Sequence, residues 1–163
     1  LPGDYPGPEA AHNIKEIGLD IGGNGDGIIL DASTHEQTIA WTHLSKAGFL
    51  AADYSMSSAT EIVSSTNTPK NIFNAFMQIA QDGNFAQTNT SARKNIKTGN
   101  LIPVDVLAEI DRKIDDGNAT QGAFRYSAFN GAATPPDENL CYSAGNGNWK
   151  TSSSDNCGGA SLF

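Results

Sequence analysis

The sequence predicts a single α+β domain that is rich in loops, and three observations lead to this fold class. Residues 34–47 and 103–116 each carry apolar side chains at helical spacing. Residues 122–128 alternate in the manner of a half-buried strand. The chain has 163 residues, of which 38% are hydrophobic and 17 are glycine. One modest core covered by many turns is therefore expected over residues 1–163.

The charge balance argues against polyanionic partners. The formal net charge is −8, with only 10 Lys and Arg residues. Such a surface repels phosphate backbones and anionic lipid head groups alike. We therefore expect no nucleic-acid partner and no binding of this domain to a membrane surface.

The first 32 residues predict an irregular lead-in. Three prolines and two glycines within residues 1–8 break both the helical and the strand period. Residues 18–27 are rich in Gly and Asn, which adopt positive φ at little cost. Only after this lead-in does a regular element begin.

The first helix is predicted from a capping box in which Ser33 and Glu36 satisfy each other's backbone amides. Apolar residues then recur at helical spacing as far as Ala47. Gly48 stands where a left-handed C-cap is expected. The pattern predicts a helix over 34–47.

Residues 71–80 are ambiguous, because one set of apolar residues has helical spacing and another alternates as in a strand. The first set is Ile72, Phe76 and Ile79, and the second is Phe73, Ala75, Met77 and Ile79. Periodicity alone leaves both interpretations open.

The second helix is predicted to open at Pro103, whose missing amide is harmless in a first turn, and to end at Gly117. Its expected core-facing stripe is Val106, Leu107, Ile110 and Ile114. Asp115 and Asp116 lie at its C-terminus, where negative charge opposes the helix dipole. A local partner is therefore expected for them, namely Arg112, Lys113 or a cation. Beyond residue 128 the chain is interpreted as a Gly/Asn/Ser-rich tail.

Cys141 and Cys157 lie close together in this tail, which has little apolar material to hold it folded. A disulfide bounding residues 141–157 is favoured, and it would suit an oxidising compartment. Two free thiols, or half of a metal site, are the alternatives.

No catalytic centre is predicted. The chain has no Gly-x-Ser-x-Gly elbow for a nucleophilic serine, and both cysteines are assigned to each other. His12, His35 and His43 lack the spacing of a zinc site, so His35 is expected to be solvated and His43 partly buried.

A calcium loop is the strongest candidate for a ligand site, although no cofactor is required. Its oxygen ligands would be Asp20, Asn24, Asp26 and Asp31. However, Gly22 stands where the first Asp of an EF-hand loop belongs. A tight Asx-rich turn without metal explains the same residues and is preferred.

An adhesive or glycan-binding surface, possible with or without calcium, is the alternative function. Isolated aromatic residues could stack on sugars, although such residues more often belong to a core. They are Trp41, Trp149, Tyr126 and Tyr142.

Four fragments, in this order, resemble the landmarks of bacterial prepilin-type proteins, the type IV pilins and type II secretion pseudopilins. The fragments are Leu1-Pro2-Gly3-Asp4, Gly23-Asn24-Gly25-Asp26-Gly27, Ala40-Trp41-Thr42-His43-Leu44-Ser45-Lys46-Ala47-Gly48 and Ile110-Asp111-Arg112-Lys113-Ile114-Asp115-Asp116-Gly117. The resemblance covers the chain from Leu1 to about Tyr126, and the acidic helix end is its most specific part.

The resemblance implies a pilin-like head in which both helices pack on a small antiparallel sheet. Residues 73–80 would then be a strand that pairs with residues 94–97. In this family a fragment like Leu1–Asp4 follows a long N-terminal helix that anchors the subunit in the membrane. That helix is missing here, which implies either a trimmed chain or a head that docks on a separate short helical pilin. The cysteine pair resembles the disulfide-bounded C-terminal loop of many pilins.

The implied function is that of a structural filament subunit and not of an enzyme. Its partners would be other copies of itself or other pilin subunits, and membrane contact would occur only through the missing helix. The implied location is the cell surface or the extracellular space, after assembly from the periplasmic face of the inner membrane. Acidic and basic patches are hypothesised to pair between neighbouring subunits. They are Asp111, Asp115 and Asp116, and Arg93, Lys94 and Lys97.

Overall fold

The structure is a computed structural model that describes residues 1–6, 21–30, 34–86 and 91–163. Within these ranges the chain forms three helices and four strands. In chain order they are α1 Glu36–Lys46, β1 Gln78–Asp82, β2 Arg93–Lys97, α2 Val104–Ile114, β3 Phe124–Tyr126, α3 Glu138–Cys141 and β4 Gly159–Leu162. This composition confirms the α+β class.

The chain divides into two compact units. The first comprises Leu1–Pro69 and Ile79–Gln81, and the second comprises Lys70–Gln78 and Asp82–Phe163. Nothing in this division tests whether residues 1–163 fold as one domain, so that expectation stays a prediction. Among the described helices, none has the length and apolar character that crossing a lipid bilayer requires.

Helix α1, in the first unit, confirms the predicted first helix, but its start differs from the prediction. It begins at Glu36, and the N-cap His35 makes no side-chain capping bond. Glu36 is therefore the first helical residue and its carboxylate binds elsewhere, so the capping box is wrong; Ser33 lies outside the described residues.

The predicted end of α1 is confirmed. Gly48 has φ +78°, its N–H donates to the carbonyl of Ser45, and the N–H of Phe49 donates to the carbonyl of Leu44. These two bonds form a Schellman motif.

The four strands form one antiparallel sheet in the order β1-β2-β4-β3. The last strand of the chain thus lies between β2 and β3, with Ala160 opposite both Lys97 and Arg125. Gly159 is needed in β4 because the ring of Phe124 occupies the space of a Cβ. The interpretation of residues beyond 128 as a tail is wrong, since they contain α3 and this central strand.

The strand implied for residues 73–80 exists, but it begins only at Gln78. Before it, the Asn71 side chain organises a turn by accepting hydrogen bonds from the N–H groups of Phe73 and Ala75, at 2.9 and 3.0 Å. These side-chain bonds take up backbone N–H groups that could otherwise bond to a neighbouring strand, so β1 begins further along the chain, at Gln78. The implied partner strand is confirmed as β2.

Helix α2 confirms the second predicted helix, but its buried face is not the predicted one. The buried residues are Val104, Leu107 and Asp111, whereas Val106 and Ile114 are 38% and 63% exposed. The helix is turned so that Asp111 faces inward, and Pro103 is its N-cap. Helix α2 packs on β3. The core of this unit contains Ile102, Val104, Leu107, Ala119, Phe124, Tyr126, Cys141, Tyr142, Trp149 and Cys157.

Candidate functional site

The candidate calcium loop is a hydrogen-bonded turn where the structure describes it. The Oδ1 atom of Asn24 accepts from the N–H of Asp26 at 2.9 Å, and Oδ1 of Asp26 accepts from the N–H of Ile28 at 2.8 Å. The two side chains also bond each other at 3.0 Å. These bonds fit the metal-free Asx-rich turn. Asp20 and Asp31 lie outside the described residues.

Glu36, the first residue of α1, binds this loop through its carboxylate. Its side chain is fully buried, and its Oε1 and Oε2 atoms accept from the N–H groups of Asn24 and Leu30 at 2.8 and 3.1 Å. Gly23 is needed beside it, because a Cβ there would overlap the Glu36 carboxylate and the carbonyl of Gly3. A buried carboxylate that accepts two amides is well satisfied, so Glu36 anchors the loop to the helix.

His43 lies two turns further along the same face of α1 and binds two separate backbone segments. Its Nδ1 atom is 3.0 Å from the N–H of Gly3, and its Nε2 atom is 2.8 Å from the carbonyl of Ile21. Burial lowers the pKa of His43, although the Ile21 carbonyl acts in the opposite direction. The rings of His43 and Tyr5 lie with their centroids 6.5 Å apart and their planes at 73°.

Asp4 completes this polar network. Its carboxylate is 3.2 Å from the N–H of Gly27, and its carbonyl accepts from the N–H of Gly25 at 2.9 Å. Sequence analysis missed the roles of Asp4 and Glu36, and for His43 it predicted partial burial and an ordinary hydrogen bond but not its two backbone partners. The one signal available was the spacing of seven residues between Glu36 and His43, which places two polar groups on one side of a helix.

In the second unit, the structure brings together the acidic residues at the end of α2. Carboxylate oxygens of Asp111, Asp115 and Asp116 lie within 4.8 Å of one another, close enough in principle to hold a cation. Each carboxylate already accepts hydrogen bonds within the chain. Asp115 accepts from the N–H groups of Ala123 and Phe124, the latter at 2.8 Å, and Asp116 accepts from that of Asn118 at 2.8 Å.

These backbone amides are local partners of the kind that the helix-dipole mismatch predicted, but the prediction of Arg112 or Lys113 as the partner was wrong, and a cation stays a prediction. Arg112 and Lys113 instead form ion pairs with Glu109, on their own helix. The Asp115 carboxylate reaches past the helix end and caps the start of β3.

Asp111 joins α2 to the disulfide-bounded segment. Its Oδ2 atom accepts from the indole N–H of Trp149 at 2.7 Å, and its Oδ1 atom is 3.3 Å from the N–H of Gly117. Burial raises the pKa of Asp111, while these two donors and the neighbouring Asp116 and Asp115 have smaller effects. The side chain is fully buried and serves as an internal tie.

The disulfide between Cys141 and Cys157 is present, which confirms the predicted pairing. Beside it, the Tyr142 hydroxyl donates to Glu138, and burial raises the pKa of Tyr126 to about 12. The four aromatic residues considered for sugar stacking are all buried, so they form no stacking surface in this structure. They are Trp41, Trp149, Tyr126 and Tyr142.

The three basic residues considered for subunit contacts differ in exposure. Arg93 is exposed and Lys94 is half-buried. Lys97 is 2% exposed, and its ammonium group donates to Gln78 at 3.0 Å and pairs with Asp82. Burial lowers the pKa of Lys97, and Asp82 opposes that shift. Of these three residues, only Arg93 and Lys94 thus place a charge at the surface.

Comparison of the chain with protein-family models, with curated proteins and with solved structures finds no significant match.

Proposed function

We propose that this chain is a structural subunit of a type IV pilus or of a type II secretion-type filament. It acts by assembling with other copies of itself or with related subunits, and its task involves no catalysis. Subunits of such a filament repeat a contact between two different surface patches, and the resulting rotation does not close into a ring.

One observation carries this proposal: three of the four fragments that resemble prepilin-type proteins form a single hydrogen-bonded network. Gly3 of the first fragment binds His43 of the third, and Asn24 of the second binds Glu36 at the start of the same helix. The first two fragments are also joined directly, through the N–H of Gly25 and the carbonyl of Asp4 at 2.9 Å. The three fragments therefore lie close together in the first unit, which supports treating them as one feature of the chain.

This network would suit a head that transmits force to a segment attached at its N-terminus. The turn at residues 1–6 is tied to α1 by the buried hydrogen bond between Gly3 and His43, so a pull on Leu1 would be borne by the first unit. The resemblance implies that a helix precedes this turn in the family. A rigid joint at this position would orient the head on such a helix.

The exposed charges suggest which residues form the contact between subunits. Asp116 and Arg93 are exposed on the second unit. Asp111 and Lys97 are buried and paired within the chain, and Asp115 caps β3, so these three are left out of the proposed contact. Exposed pairs contribute little affinity, but they set register and exclude wrong partners.

The location belongs to the proposal as well. The disulfide between Cys141 and Cys157 is consistent with an extracellular site. Disulfides persist in oxidising compartments, which include the bacterial periplasm and the cell surface. We therefore place the subunit at the cell surface after assembly.

The proposal is tested by shearing surface filaments from the native source and identifying this chain among their subunits. Its N-terminal sequence and intact mass would show whether a hydrophobic helix precedes Leu1 or whether the head is a separate chain. If the chain is missing both from sheared filaments and from a secretion pseudopilus fraction, the proposal is wrong.

The contact is tested by reversing charge at Asp116 in cells that assemble filaments. Asp116→Lys is expected to reduce filament yield, and the second change Arg93→Glu is expected to restore it, because opposite charges then face each other again. Asp155→Lys is the matched control, since Asp155 is also an exposed aspartate of the second unit. Equal yields for Asp116→Lys and the control would remove Asp116 from the contact.

A further inference from the structure

We propose that His43 is a pH-sensitive latch: its neutral ring holds the N-terminal turn of residues 1–6 on helix α1, and protonation of the ring releases that turn. The latch lies entirely within the first unit and is independent of any assembly into filaments. It acts through two ring nitrogens that bind two different parts of the lead-in.

The hydrogen bonds determine the state of the ring. A backbone N–H can only donate, so the 3.0 Å bond from Gly3 requires an unprotonated Nδ1 atom. The ring proton therefore lies on Nε2, which donates to the carbonyl of Ile21 at 2.8 Å. The neutral ring satisfies both partners. An imidazolium would direct a second N–H at the N–H of Gly3 and break that bond.

The surroundings of the ring do not compensate a positive charge. His43 is 5% exposed, and the Tyr5 ring lies beside it with the two ring centroids 6.5 Å apart. The nearby carboxylates are engaged elsewhere: Asp4 binds the N–H of Gly27 and pairs with the Leu1 amino group, and Glu36 binds two loop amides. On its own helix, the cation Lys46 pairs with Asp53.

The pKa of His43 is shifted in the direction that favours the neutral ring required by these hydrogen bonds. Burial is the largest cause that lowers the pKa of His43 from 6.5, and the Leu1 amino group lowers it further against the opposing Ile21 carbonyl. Because the folded state binds the proton less well than the released state, the bond is at full strength above about pH 6.5 and weakens as the pH falls.

The latch is tested on the whole chain by NMR, which follows the His43 ring and the amide exchange of single residues from about pH 7.5 to about pH 5. After correction for the intrinsic exchange rate, the protection of the Gly3 amide is expected to fall by up to about tenfold per pH unit between about pH 6.5 and the lower folded pKa of His43, and to level off below that pKa. The amide of Leu107 in α2, in the other unit, is expected to keep its protection. A Gly3 amide that stays protected while the ring carries its second proton would overturn the proposal.

Two variants separate the latch from a general loss of stability with acid. His43→Gln keeps a neutral group that can accept from Gly3 and donate to Ile21, so the protection of Gly3 should no longer depend on pH. His35→Gln is the matched control, since His35 is a half-buried histidine at the N-cap of the same helix, and its ring binds the carbonyl of Glu61. It is expected to retain the wild-type response. If His43→Gln retains that response too, His43 is not the latch; if the variant does not fold, the wild-type titration alone decides.

Discussion

Two buried tryptophans, Trp149 and Trp41, differ in whether the indole N–H has a hydrogen-bond partner among the described residues. Trp149 donates to the carboxylate of Asp111, whereas the Nε1 atom of Trp41 has no hydrogen-bond partner among the described residues. Both side chains are less than a tenth exposed. The pair therefore allows the energy of one buried hydrogen bond to be separated from the energy of burying an aromatic ring.

Trp149→Phe is expected to lower the free energy of unfolding by about 1.5 to 3 kcal/mol more than Trp41→Phe does. The first change leaves a buried carboxylate without its donor, while the second removes a donor that was already unsatisfied. Urea unfolding followed by circular dichroism measures both variants. Equal losses would mean that the bond to Asp111 contributes nothing to stability.

At the scale of elements, the end of α2 shows how one side chain can start the next strand. Asp115 stands where negative charge opposes the helix dipole. Its carboxylate nevertheless serves as acceptor for two amides at the beginning of β3. Gly122 must be glycine beside it, since a Cβ there would overlap the same carboxylate. The unfavourable position on the helix is offset by the bonds to the strand.

Asp115→Ala is therefore expected to destabilise the protein by about 1 to 2 kcal/mol, because two amides lose their acceptor. Asp116→Ala is the matched control, and its cost should stay within about 0.5 kcal/mol, since Asp116 is exposed and accepts one turn bond. Urea unfolding of the two variants measures the loss in the free energy of unfolding for each. A cost at Asp116 as large as that at Asp115 would contradict the capping role.

At the scale of the whole molecule, the C-terminal residues determine whether the sheet is complete. Strand β4 joins β2 to β3, and the disulfide ends just two residues before it. Without β4, no strand would connect the pair β1-β2 to β3. The disulfide therefore restricts the segment that leads into this central strand.

Replacing both Cys141 and Cys157 by serine is expected to lower the free energy of unfolding by about 3 kcal/mol. The cysteines are 16 residues apart and both fully buried, so the loss includes the constraint on the loop and some packing. Urea unfolding of the wild-type protein with and without reductant is the control, and the reduced protein should approach the variant. Unchanged stability on reduction would show that β4 docks without help from the disulfide.

Much of the local structure was predictable. Helices α1 and α2, strand β3 and the disulfide followed from periodicity, Gly48 and the cysteine pair, which are features of short segments. The predicted end of α2 before Gly117 was two residues too late, because the helix ends at Ile114 with Asp115 as its C-cap. The buried face of α2 was not predictable. Asp111 turns inward because Trp149 donates to it, and that residue lies 38 positions away in the chain.

The candidate site likewise has one part that local sequence predicts and another that depends on distant segments of the chain. The Asx turn at Asn24 and Asp26 is local, and the sequence favoured it over a calcium loop. The buried roles of Glu36 and His43 depend on backbone groups of the lead-in, and no local rule pairs a helix side chain with an amide 40 residues away.

The sequence by itself thus determined the α+β class, the main helices and the cysteine pair, because hydrophobic periodicity, helix-ending glycines and cysteine spacing are properties of short segments. Only the tertiary structure decided that β4 is the central strand, that Asp115 caps β3 and that His43 holds Gly3. The physical reason is that a buried polar group must find a hydrogen-bond partner, and which partner it finds depends on segments that folding alone brings together.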